Sequence, residues 1–133
     1  MDAQEKYEYW LDAAKYDLET AGAMFASGRW LYVVFMCQQA VEKLVKGLYT
    51  LYISDDVPRT HNISFLLKKF ESFLPAPVGD EHYILFEKLH AFYISGRYTD
   101  FKEKLSRSVD EQEAKVIFEQ TRGAFTWLLT LKP

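Results

Sequence analysis

The sequence has one cysteine, Cys37, in 133 residues, so no internal disulfide can form and no cysteine-rich zinc site can be built. Proline and glycine are also scarce, four and six residues. That excludes a turn-rich β-sandwich and a low-complexity linker. The longest apolar run, residues 31–37, is too short to cross a bilayer, and the N-terminus MDAQEKYEYW lacks the basic-then-apolar pattern of a leader. With a formal net charge of −3 there is no global field to attract a polyanion, so any nucleic-acid contact needs a local basic patch. The reading is a soluble protein of a reducing, cytoplasmic compartment, with no membrane partner.

What is abundant is apolar and aromatic: 49% hydrophobic and 17% aromatic residues, enough for one domain over residues 1–133 with a real core. Tyr7, Leu11, Ala14, Leu18, Ala21 and Phe25 alternate steps of four and three, one stripe of an amphipathic helix that Ser27-Gly28 ends. From about Trp30 to Ile53 two adjacent apolar stripes predict a central helix. Its polar residues, Gln38, Gln39, Glu42, Lys43 and Lys46, fall along one side, with Glu42 and Lys46 spaced for an ion pair one turn apart. Thr60 is the expected N-cap of a third helix, Asp80 the start of a fourth that stops at Ser95-Gly96, and Ser108 with Glu111 a capping box for the last. These elements predict an all-α fold, an up-and-down bundle of four to five helices.

Most catalytic signatures are absent. There is no Gly-x-Ser-x-Gly, no phosphate loop and no dinucleotide fingerprint. Glu87-Lys-Leu-His90 has the Glu-x-x-His spacing of carboxylate-bridged di-metal bundles, but such a centre needs a second copy and two more inward glutamates. No metal and no cofactor is expected. His90 reads as a partly buried, hydrogen-bonded side chain, and His82 and the pair Lys68-Lys69 as solvated. The informative constellation joins the polar side of the central helix to Tyr93, Arg97, Tyr98 and Asp100. Segment 97–107 carries four cations against two carboxylates, beside tyrosines that can stack bases. Arg97 could equally anchor its own loop by pairing with Asp100 or Glu42.

Four segments in order resemble the HEPN domains (higher eukaryotes and prokaryotes nucleotide-binding). They are Ala14-x-x-Asp17-Leu18-x-x-Ala21 with Gly28-x-Trp30, then Phe35-x-x-Gln38-Gln39-Ala40-x-Glu42-Lys43-x-x-Lys46, then Thr60-His61-x-Ile63-x-x-Leu66, and Tyr93-Ile94-x-x-Arg97-Tyr98-x-Asp100. The resemblance implies a helical bundle, commonly a homodimer, often paired with a small nucleotidyltransferase in toxin–antitoxin-like systems, and able to bind a nucleotide or RNA. It also implies, for many members, a metal-independent ribonuclease site, an arginine followed after four to six residues by a histidine. This chain departs from that pattern: after Arg97 the positions hold Lys102, Glu103 and Lys104. Lysine holds a phosphate well but is a poor base at neutral pH, its unperturbed pKa being about 10.4. Catalytic residues are therefore not assigned. The expectation is a non-catalytic nucleotide- or partner-binding module, with Gln38, Gln39, Glu42, Lys43, Lys46, Tyr93, Arg97, Tyr98 and Asp100 as ligand-binding candidates. The alternatives are a ribonuclease toxin whose histidine, His61 or His90, arrives from elsewhere in the fold, and a purely structural interaction module.

Overall fold

The first helix, α1 (Ala3–Ala26), opens on a reciprocal cap: the Asp2 carboxylate accepts the Glu5 N–H at 2.8 Å while Glu5 reaches back to the Asp2 N–H. It closes at Ser27-Gly28, as its turn signal predicts. Gly28 has φ 75°, a left-handed conformation that costs a residue without Cβ nothing. That turn lets Arg29 N–H reach the Met24 carbonyl at 2.9 Å and Gly28 N–H reach that of Phe25 at 3.2 Å, satisfying two carbonyls at the helix end. Only three residues separate α1 from α2 (Trp30–Tyr52), so the two run antiparallel and pack along their length.

The computed structural model describes residues 1–96 and 109–133. Among these residues there are five α-helices and no strand: α1, α2, α3 (Ile63–Phe70), α4 (Asp80–Gly96) and α5 (Glu111–Leu129), with a 3₁₀ turn, Glu71–Phe73, after α3. The predicted all-α bundle is the observed one. Helix α2 touches the other four, and the two stripes read from its sequence are both buried: Val34, Val41, Val45 and Leu48 beside Val33, Cys37, Ala40 and Leu44. Tyr7, Leu66, Leu67, Phe70, Phe86, Leu89, Ile117 and Leu128 close around them from the remaining helices. Burial pushes the Cys37 thiol up to about 12, so at neutral pH it is a packed thiol and no nucleophile. No described helix is long and apolar enough to cross a membrane.

Two caps differ from expectation. Helix α3 is capped by Asn62, whose side chain accepts the Phe65 N–H at 3.0 Å; Thr60 instead accepts the Asn62 N–H and shapes the approach. Helix α5 is capped by Asp110, which accepts the Glu113 N–H at 2.8 Å, while Ser108 lies outside the described residues. His82 is not simply solvated: its ring lies flat on Trp127 of α5, centroids 3.8 Å apart. Lys68 and Lys69 likewise ride over rings, Tyr83 at 5.1 Å and Phe65 at 4.7 Å. The loop at 75–79 is held by Glu71, which accepts the Val78 N–H and the Tyr83 hydroxyl.

Candidate functional site

Glu42 sits mid-way along α2, on the side that meets the approach to α3, and is 3% exposed. A buried carboxylate is costly unless its lone pairs are filled. Here they are filled by three side chains. Lys46 Nζ, one helical turn on, donates at 2.9 Å, the predicted ion pair. His61 Nδ1 lies 3.0 Å from Oε1 and 3.3 Å from Oε2, and Gln38 Nε2, one turn back, reaches Oε1 at 3.5 Å. An ionised carboxylate only accepts, so Nδ1 of His61 carries the proton facing it.

Gln38 fixes His61 from a second side, because its Nε2 also donates to the His61 backbone carbonyl at 2.7 Å. The histidine is thus oriented by its main chain and by its ring, although its side chain remains 40% exposed. Its Nε2 has no hydrogen-bond partner among the described residues. The imidazole packs against Tyr93 of α4 with ring centroids 5.0 Å apart, and the Tyr93 hydroxyl accepts from Gln39 Nε2 at 3.2 Å. Phe35, one turn before Gln39, meets the same tyrosine edge-on at 6.1 Å. Side chains from α2, α4 and the segment before α3 therefore converge on one polar spot.

Gln38, Gln39, Glu42, Lys43 and Lys46 share an arc of about 140° on α2, at about 100° per residue. The structure divides that arc. Gln38, Glu42 and Lys46 surround the carboxylate with His61, and Gln39 joins through Tyr93. Lys43, at the far edge, donates to Asp17 of α1 at 2.6 Å. Both lysines are committed to carboxylates, and Lys46 also lies 5.9 Å from the Trp10 ring. Arg97, Tyr98 and Asp100 lie outside the described residues. The residue absent from the expected binding set is His61, which the sequence offers only as a candidate histidine of the alternative ribonuclease. The signal that could have found it is the Thr60-His61 pair heading α3. His90, expected to be hydrogen-bonded, has a buried Nδ1 with no partner among the described residues. Among the described residues no three His, Cys, Asp or Glu side chains gather in a way that could hold a metal ion.

Comparison with known proteins agrees with this fold. The crystal structure of TT1696 from Thermus thermophilus is similar in fold, with a TM-score of 0.77 over 94% of this chain and 97% of that one, at 23% identity. No curated protein sequence matches the chain. The family model of the HEPN domain matches residues 7–131, which takes in α1 from Tyr7 onward, α2 to α5 and every member of the Glu42 cluster. The chain belongs to the HEPN domain family, a group of nucleotide-binding or RNase-related modules.

Proposed function

We propose that this protein is a non-catalytic HEPN module that forms a homodimer, binds a nucleotide at the edge of the Glu42 cluster, and works with a small nucleotidyltransferase in a toxin–antitoxin-like pair. The observation that carries the reading is the cluster itself. A buried carboxylate–lysine pair adds little net stability to a bundle, because desolvation offsets the Coulomb attraction. A ligand for which the cluster is prepared accounts for it better. His61 and Tyr93 offer ring surface for a base, and Arg97 supplies the cation that Lys43 and Lys46, already paired, do not.

Calorimetric titration of ATP and of a short single-stranded RNA tests this reading. Wild type is expected to bind at least one of them, and His61→Ala and Arg97→Ala each to weaken that binding about tenfold, the loss of one charged or aromatic contact. Binding by neither ligand, or equal binding by all three proteins, overturns the proposal. For the homodimer, Tyr9 and Tyr16 lie seven residues apart on one face of α1 and are 66% and 71% exposed, an aromatic stripe suited to an interface. Analytical ultracentrifugation should find a dimer for wild type and a monomer for the Tyr9→Glu, Tyr16→Glu double variant. A monomeric wild type counts against that part of the reading.

One observation favours a second reading, a ribonuclease with an altered site. His61 has Nδ1 held by a buried carboxylate and Nε2 unpartnered among the described residues, the orientation a general base requires. RNA cleavage by purified wild type that disappears in both His61→Ala and Arg97→Ala would replace the first reading with this one.

A further inference from the structure

A second polar site lies between the first turns of α3 and the outer face of α4, sharing no residue with the Glu42 cluster. It is a pocket of about 320 Å³, at the small end of ligand-binding cavities. Ser64, 6% exposed, and His90 both line it, and beside it the buried Ser64 hydroxyl and the buried His90 Nδ1 have no hydrogen-bond partner among the described residues. Buried polar atoms in proteins are almost always paired, so two orphans on one pocket call for a missing partner.

The other lining groups indicate its chemistry. Asn62 uses its side-chain oxygen to cap α3, which leaves its NH₂ as the uncommitted end. Lys68, four residues after Ser64 and so on the same face of α3, forms no ion pair among the described residues. The positive end of the α3 dipole lies at the same place. Donors from Ser64, Asn62 and Lys68 thus surround the pocket, against one exposed carboxylate, Glu87, at its rim. Phe65, 44% exposed, supplies an apolar wall with Ala91.

We propose that this pocket binds a small organic anion, its phosphate or carboxylate head on Ser64, Asn62 and Lys68 and its apolar body against Phe65. Phenyl phosphate, benzoate and uncharged benzyl alcohol are the probes, followed by NMR titration of the full chain. At least one anion is expected to shift the His90 ring resonances and to bind about tenfold more tightly than benzyl alcohol, and whichever anion binds better identifies the head group. Lys68→Met and Ser64→Ala should each weaken that anion about tenfold. His61→Ala should leave it unchanged, which separates this pocket from the Glu42 cluster. Ser64→Ala should also keep or raise Tm, because it removes a hydroxyl that the ligand-free protein leaves unsatisfied. The proposal is overturned if neither anion outbinds benzyl alcohol, if both pocket variants retain wild-type affinity, or if Ser64→Ala lowers Tm, which would make the hydroxyl a structural group.

Discussion

Glu42→Ala is expected to lower the melting temperature by about 12 °C, to be read by circular dichroism at neutral pH. The variant leaves Lys46, whose side chain is 12% exposed, with a buried charge and no counter-charge, and deprives His61 of the acceptor for Nδ1. Removing one member of a buried ion pair costs about 3–4 kcal/mol, far more than the intact pair contributes. For a chain of this size each kcal/mol is worth about 3–4 °C. Replacing both charges, Glu42→Leu with Lys46→Leu, should recover much of that loss, since neither charge is then stranded. A shift below about 3 °C for Glu42→Ala would mean that water reaches and screens the pair. At temperatures where Glu42→Ala is still folded, nucleotide binding should fall as it does for His61→Ala, because the ring has lost what orients it.

The sequence made the helices legible because their signals are local. The steps of four and three from Tyr7 to Phe25 mark α1, Ser27-Gly28 marks its end, and two stripes mark α2 as the central helix. The Glu42–Lys46 pair was legible for the same reason, being one turn of one helix. What was hidden depends on partners far along the chain. Glu42 and Gln38 read as part of the polar side of α2 and as ligand-binding candidates, with nothing to announce their burial, yet both are buried where the segment before α3 lies on them and Gln38 bonds to the His61 carbonyl. That bond also bears on the misplaced cap: with the chain pinned at His61, the helix begins two residues after Thr60, on Asn62. Asp17 was legible only as a motif position; its partner Lys43 lies on the next helix. His82 looked solvated because nothing near it in sequence announces Trp127.

Gly47→Val is the second large effect, expected to cost about 3 kcal/mol and about 10 °C, measured in the same melts. A glycine inside a 23-residue helix sacrifices about 1 kcal/mol of helix propensity relative to alanine, so its position needs a reason. The reason is the close approach of α1. A Cβ on Gly47 would stand 2.9 Å from Trp10 Cβ and 3.3 Å from Tyr7 Cδ2. Trp10 Cβ is fixed to its backbone and Tyr7 is 2% exposed, so neither can swing aside; α1 itself must move. Gly47→Ala sets about 1 kcal/mol of propensity gain against about 1–3 kcal/mol of overpacking, a net loss. Gly123, in α5, has no atom within 4 Å of the same added carbon, so Gly123→Ala keeps the propensity gain and should stabilise by about 1 kcal/mol. Opposite signs for Gly47→Ala and Gly123→Ala would establish that contact with α1, and not helix propensity, selects glycine at position 47. Because Lys46 lies 5.9 Å from the Trp10 ring, displacement of α1 should also disturb the lysine that holds Glu42. Gly47→Val should therefore weaken nucleotide binding even where the protein remains folded, linking the packing of α1 on α2 to the orientation of His61.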